Sequence, residues 1–456
     1  MRFSKNCSIL FVVASLLFQA CGSTRPALPN RPVPKPTTPT KPNNDKPPAN
    51  NNGNNGNNGG QPTPTKPNNN GNQPAQAQQS TYRLAVLLPF LANQVNAAAG
   101  EIPEKSKIAL QYYAGMQLGL TEISQGTNYP NLVVDVLDTQ ASDTDFQYLI
   151  STNARLKQAQ VIIGPVRNSH ITAMANQIKT TKQILVSPES PSSDLTDQNP
   201  NFVQTNPPLR AHCSRIIQYL RSEKKRTADQ VVLICKEKEA DRLVYFQDAN
   251  LKFGATALKE IILPDASTNF DKIDFKKYFK PGLITAFVMP SWAGQDWIVA
   301  FLSRLKQQKG SNKVEVYGMP QWADYEQIEP ELLTDLNVHI SSAQYINRTD
   351  ADIKAFEQAF YDKFGTLPNQ DAFSGYDIIK FTALMLQKYG LNFPEKVSSA
   401  GTFYPSMTGG YYLRRVPIDP TRVTDSPVTI PYEYVENIYV HILKFEQFQF
   451  RVPAGD

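Results

Sequence analysis

From residue 81 onward, short apolar runs alternate with longer amphipathic stretches, and this alternation sets the expected architecture. Residues 82–90 (YRLAVLLPF) read as a buried strand, and 108–123 (IALQYYAGMQLGLTEI) as a helix whose apolar positions share one face. Strand 132–137 follows, then an acidic helix start at 142–145, where side-chain oxygens can cap exposed amides. The series continues through strand 160–163 into Gly164-Pro165, a helix over 171–178, and strand 184–186 into Ser187-Pro188. A second series holds helix 209–220, strand 230–235, helix 242–253, strands 258–263 and 283–289, helix 297–307 and strand 314–317. Such alternation is the pattern of βαβ units in parallel sheets. A single core rarely grows past about 250–300 residues, so two α/β lobes are expected. Beyond residue 411, alternating runs such as ENIYVHILKFEQFQF predict β-hairpins.

The first 80 residues follow a different pattern. Arg2 and Lys5 precede an apolar run over 9–18, then come small Ala20 and Cys21. The run is shorter than the ~18 residues a membrane span requires and is flanked as a signal peptide is, so residues 1–20 are expected to be removed. From 22 to 80 there is almost nothing to bury: Pro lacks a backbone donor, Asn and Gly favour turns, and such a segment cannot offset its ordering entropy. It reads as a disordered Pro/Asn/Gly-rich linker. TPTKPNN occurs at 38–44 and again at 63–69, around the Asn/Gly tract 50–60, as in a duplicated spacer. Its reach lies between about 45 Å as coil and about 175 Å fully extended. A PxxP-type recognition strip is the other reading of the same composition.

Charge changes the picture once it is apportioned. The net +5 of the chain includes +2 from Arg2 and Lys5 and +5 from the linker, so the part from Thr81 carries −2. That part has no electrostatic footprint for nucleic acid. Cys213 and Cys235 lie in neighbouring elements, where two buried thiols and a disulfide both fit the spacing. His170, His212, His339 and His441 are scattered, with no HExxH, no CxxC and no close His/carboxylate cluster, so no metal site is expected. Nothing in the sequence has the form of a nucleophile elbow or a phosphate loop, so neither catalytic residues nor a cofactor are expected and an enzyme is disfavoured.

Residues 17–21 (LFQAC) resemble the lipobox of bacterial lipoproteins, in which the cysteine thiol takes a diacylglyceryl group and becomes the mature N-terminus. The resemblance implies lipidation at Cys21. Buried acyl chains contribute about 0.8 kcal/mol per CH₂, enough for several chains to hold a domain at a membrane. In such lipoproteins an Asp after the cysteine favours inner-membrane retention. Gly22 and Ser23 here imply the outer membrane; the residues leave its face open, and the periplasmic side is the expected one. Ordinary secretory cleavage is the alternative, and it would leave Cys21 a plain thiol.

The segments YRLAVLLPF, YYAGMQLGL, VIIGPVRNSH, ILVSPES and NFVQTNPP, in this order, resemble the first lobe of type I periplasmic binding proteins. That family includes leucine/isoleucine/valine-binding proteins and receptor ligand-binding regions. VVLICKEKEADRLVYFQDANLKFGA and ITAFVMPSWAGQDWIVAFLSRLKQQ match its second lobe, and FEQAFYDKFGTLPNQDAFSGYDIIKFTALML its helical hairpin back in the first. The resemblance covers nearly all of 81–456. It implies two Rossmann-like lobes of parallel sheet flanked by helices, with a cleft between them and three crossings of the chain. Lobe one is then about 81–206 and 344–410, and lobe two about 207–343 with the C-terminal segment.

Ligands of such folds lie in the cleft at the carboxyl ends of the strands. Residues fitting that position are 166–169, 187–190, 239–241, 291–292 and 321–324. The candidate ligand contacts are therefore Asn168, Ser169, Ser187, Glu189, Asp241, Trp292 and Asp324. By resemblance to amino-acid-binding members, Ser169 and Ser187 match carboxylate-contacting positions and Asp324 the amine-binding acid. Glu189 stands where a small hydroxyl residue is usual and Arg167 enters the first loop, which departs from a plain branched-chain amino acid site. The same serines and Asn168 would serve equally as helix caps, and Trp292, Trp297 and Trp322 as packing.

Two functions follow from the resemblance. One is a membrane-tethered solute-binding lipoprotein of the cell envelope that holds a small polar ligand (an amino acid, peptide or cell-wall fragment) for transport or sensing. The other is a regulatory lipoprotein working through contacts with a cell-envelope protein, similar to the outer-membrane activators of penicillin-binding proteins, which share this fold.

Overall fold

The computed structural model of the chain describes residues 80–96, 98, 101–266, 270, 272–418 and 431–453. The expected leader, Cys21 and the expected linker through residue 79 lie outside the described residues. The chain first lays down β1 (Thr81–Leu88), β2 (Asn131–Asp138), β3 (Val161–Ile163), β4 (Ile184–Ser187) and β5 (Phe202–Gln204). It then crosses to a second sheet with β6 (Val231–Lys236), β7 (Lys259–Leu263), β8 (Ile284–Val288), β9 (Lys313–Gly318) and β10 (Val338–Ser342). It returns to the first with β11 (Phe403–Pro405), β12 (Gly410–Pro417) and β13 (Tyr432–Asn437), and ends in the second with β14 (His441–Glu446) and β15 (Gln449–Arg451).

The first sheet has the order β11-β12-β13-β5-β4-β3-β1-β2 and the second β15-β14-β10-β9-β8-β6-β7. Pairing is parallel from β13 to β2 and from β10 to β7, with antiparallel strands at one edge of each sheet. Helices cover both sheets: α1 (Lys107–Gln125), α2 (Asp143–Thr152), α3 (Ala154–Gln158), α4 (Asn168–Thr181), α5 (Leu209–Gln218), α6 (Leu243–Leu251), α7 (Gln295–Lys309), α8 (Pro330–Asp335), α9 (Ala351–Phe364), α10 (Gln370–Tyr389) and α11 (Phe393–Ala400). All six residues of β6 (VVLICK) are buried, as a strand with helices on both faces requires. Ser142 caps α2 by accepting from the Asp145 amide at 3.2 Å, as the acidic helix start predicts.

The short strands β5 and β10 do not emerge from hydrophobic pattern alone. The C-terminal segment also divides differently from the expected partition. Instead of joining lobe two whole, it gives β12 and β13 to the first sheet and β14 and β15 to the second. Val435 pairs with Val203, and the Tyr434 ring meets Phe202 edge to face at 5.7 Å, so this late strand completes the first lobe's core. Cys213 and Cys235 are free and buried. Among the described residues no helix is long and apolar enough to cross a membrane.

One helix pair fixes the wall of the cleft. α1 and α10 approach backbone to backbone: a Cβ at Gly115 would run into the Ala372 carbonyl oxygen, and one at Gly375 into that of Tyr112. This close approach aims the first turn of α10 at the space between the sheets. The crossings are tied together as well. The Asn437 amide nitrogen donates to the Thr205 and Gly410 carbonyls at 3.0 and 3.1 Å, while its oxygen accepts from the Tyr412 and Tyr439 amides at 2.9 and 3.1 Å. This buried side chain is fully satisfied and locks the first crossing to the last.

Candidate ligand-binding cleft

A cavity of about 500 Å³ opens between the two sheets. The first lobe contributes the turns after β4 and β5, the first turns of α10, and the loop that leads into β12. The second contributes Trp292 after β8 and the turn after β9 with Gln321 and Asp324. These are the carboxyl ends of parallel strands, where loops rather than ladders present the polar groups. The crossing at 343–346 closes the back. There Gln344 donates to Ser374 Oγ at 2.8 Å and accepts from Gln370 at 2.9 Å, and the Tyr345 amide donates to the Thr408 carbonyl at 2.6 Å.

Four carboxyls line the cavity, and no Lys or Arg stands among the described lining residues. Burial, with Asp371 adding repulsion, pushes Glu189 up to about 7. Burial likewise raises Asp324 and Asp371, the latter against a hydrogen bond from Asn369 at 2.9 Å. Asp377 is also raised by burial. Its carboxylate is engaged by the Met407 and Thr408 amides at 2.9 and 3.1 Å and by Thr408 Oγ1 at 2.7 Å, so it orders the loop before β12. Glu189 and Asp324 differ from it: no described residue donates a hydrogen bond to either carboxylate.

His212 lies against the cavity with its Nδ1 2.9 Å from Ser341 Oγ, and burial lowers it to about 3, which keeps it neutral. The Trp292 ring stands edge to face on His212 at 5.5 Å, and its Nε1 is buried without a partner. Gln321 Oε1, also in the lining, is buried and unpartnered too.

Of the residues expected from sequence, the structure brings Glu189, Trp292 and Asp324 together in this lining. Asn168, Ser169, Ser187 and Asp241 are placed outside it, each for a local reason. Ser169 donates to Asp143 at 2.8 Å, and Asn168 accepts from Ser190 at 2.7 Å, both on the exposed first turn of α4. Ser187 is the last residue of β4, fully buried beneath Thr205, whose hydroxyl donates to the Ser187 carbonyl at 3.2 Å. Asp241 sits exposed in the 3₁₀ turn Glu237–Arg242. Trp297 and Trp322 pack, donating to the carbonyls of Pro264 and Ser291 at 2.9 and 3.0 Å. Sequence reasoning missed Asp371 and Asp377. The signal for Asp371 is the Asn369-Gln370-Asp371 helix start, where Asn369 caps by accepting from the Ala372 amide at 3.2 Å.

No protein-family model matches the chain, and no curated protein sequence does. Solved structures do. An ABC transporter substrate-binding protein from Desulfitobacterium hafniense in complex with Leu is similar at TM-score 0.52 and 16% identity, over 82% of this chain and 100% of that one. A protein described as a branched-chain amino acid ABC transporter, from Rhodospirillum rubrum, reaches TM-score 0.59 at 14% identity over 82% and 100%. A branched-chain amino acid ABC transporter periplasmic ligand-binding protein from Burkholderia xenovorans gives 0.55 at 11% identity over 82% and 94%. At these identities the likeness speaks for the fold alone, which is the two-lobed type I periplasmic binding fold that the sequence resemblance implies.

Proposed function

We propose that the protein is a solute-binding lipoprotein of the cell envelope, anchored through Cys21, that closes its two lobes over a small polar ligand and presents it for transport or sensing. The observation that carries this reading is a cavity walled by both lobes and backed by three tied crossings, with Trp292 Nε1 and Gln321 Oε1 unpartnered on the second lobe and the Glu189 carboxylate without a described donor on the first. Such a cavity binds by being closed. A ligand bridging Glu189 and Trp292 favours the closed arrangement by its differential affinity for it. The Leu complex of the Desulfitobacterium hafniense structure supports the class of ligand, a small polar molecule, rather than its identity. The test is a melting and small-angle scattering screen of amino acids, peptides and cell-wall fragments against the full chain. A compound that raises the melting temperature and shrinks the radius of gyration together supports the reading, and a panel with neither effect counts against it.

A second reading, regulation of a cell-wall synthase by direct contact, draws on the tether. The expected linker supports it, since a transporter's shuttle needs no reach from a different membrane. Recovery of such a synthase by cross-linking, with no compound shifting the melting temperature, would favour it.

A further inference from the structure

We infer that the ligand of this cleft is an organic cation, a molecule with an ammonium or guanidinium group and no carboxylate of its own to balance it, whose body lies against Trp292. The inference rests on the solute-binding reading and specifies its ligand. Its first support is charge. Glu189 and Asp371 on one wall, with Asp324 on the other, face a cavity in which no described lining residue is Lys or Arg and in which His212 is held neutral. Glu189 and Asp371 repel each other. Removing carboxyls from water without a counter-charge is costly, and a bound cation supplies the missing partner.

The second support is the balance of unmatched hydrogen-bonding groups. The Glu189 and Asp324 carboxylates and Gln321 Oε1 are acceptors without a described donor, whereas the buried unmatched donor in the lining is Trp292 Nε1. An acceptor-rich wall suits a ligand rich in N–H groups, with one oxygen to receive the indole proton. Behind the same wall Tyr112 is 1% exposed and its hydroxyl has no partner. The charged or ionisable groups acting on it are Glu189, Tyr411, Asp371 and Asp377, all lining residues.

The third support separates an organic cation from a metal ion. Among the described residues no three His, Cys, Asp or Glu side chains stand close enough to hold a metal. The Trp292 indole in the lining instead offers an organic cation an aromatic contact, through cation–π attraction and apolar contact. A zwitterionic amino acid fits less well, because its carboxylate would enter a cavity of four carboxyls with no cationic side chain to meet it.

The test uses the full chain in detergent, with putrescine, agmatine and spermidine as cationic probes, leucine, glutamate and glucose as comparators, and potassium chloride at equal ionic strength as the screening control. The expected result is a saturable rise in melting temperature with at least one amine and none with the comparators or the salt. Glu189→Gln and Asp371→Asn should each weaken that amine's affinity tenfold or more without lowering the unliganded melting temperature, a combination that misfolding would not give. A rise with leucine, glutamate or glucose but with no amine overturns the inference and leaves the solute-binding reading standing. An equal rise with potassium chloride, or an amine effect unchanged in both variants, also overturns it. No rise with any compound, including the wider panel, removes the inference and the reading together.

Discussion

Arg210 Nε lies 3.0 Å from Glu436 Oε1, joining the first turn of α5 in the second lobe to β13, the last strand laid down in the first. Arg414 Nε donates to the same oxygen at 2.9 Å, and the Glu436 side chain is fully buried. The carboxylate therefore sits at the first and last crossings with a guanidinium on either side. Glu436→Gln keeps the shape and removes the charge. Hydrogen bonds to charged groups contribute about 1.5–3 kcal/mol, and a loss of that order is expected in chemical denaturation. Both arginines are partly exposed, so a loss below about 0.5 kcal/mol, the usual value for a solvated pair, would show that water replaces the carboxylate.

Ser169→Ala with Ser187→Ala should leave ligand binding unchanged, because neither hydroxyl lines the cavity. Ser187 Oγ is buried without a partner, so its removal is expected to be neutral or stabilising. Loss of binding in the double variant would return the site to the first turn of α4.

The same serines mark how far sequence reaches. Parallel strands announced themselves where a long run is buried, as in all of β6 and in β1 from Leu84 onward, because continuous burial leaves continuous apolar sequence. β5 (FVQ) and β10 (VHISS) break their apolar residues with polar ones, so neither leaves a continuous apolar run, and that is why periodicity passed over them. The loops after β4, β8 and β9 were legible as cleft-facing from strand direction, which captured Glu189, Trp292 and Asp324. Strand direction cannot say whether a hydroxyl turns to the cavity or to its own helix, and Ser169 turns to Asp143. Asp371 and Asp377 come from a helix about 180 residues after Glu189, and the close contact of Gly115 with α10 that brings them there is tertiary.

Gly115→Ala should loosen that contact. The added Cβ meets the Ala372 backbone rather than a flexible side-chain end, so the helices must separate. Overpacking of this kind costs about 1–3 kcal/mol. Because α10 carries Asp371 into the cleft, ligand affinity should fall together with stability. A variant as stable as the parent would mean that the two helices slide apart freely.

Lipidation at Cys21 is tested by metabolic labelling with an alkyne fatty acid. Label and membrane fractionation are expected in the wild type and absent from Cys21→Ala. Equal label in the two would remove the anchor from the proposed function.

Glu189 should give the unliganded protein a pH dependence opposite to that of a salt-bridged carboxylate. Burial first and Asp371 second lift its pKa from 4.5 to about 7. The folded state then holds the proton more tightly than the unfolded chain. Its contribution to stability is fully present below the unfolded pKa and is lost as pH rises through the window to about 7. At about 1.4 kcal/mol per unit the loss is on the order of 2 kcal/mol, lessened because the group faces an open cavity. Asp371, Asp377 and Asp324 are raised by burial too and act in the same sense, from the unfolded carboxylate range upward. His212 and His339, lowered by burial to about 3 and about 4, add stability as pH rises to the unfolded histidine value of 6.5. The Glu189 loss is therefore read as a difference: from pH 5 to pH 8 the melting temperature of wild type should fall relative to that of Glu189→Gln. A cationic ligand reverses the sense, because it favours the ionised carboxylate, so its Kd should tighten as pH rises through neutrality. Parallel melting profiles for wild type and Glu189→Gln, with a Kd indifferent to pH, would show that Glu189 is already ionised in the empty cleft.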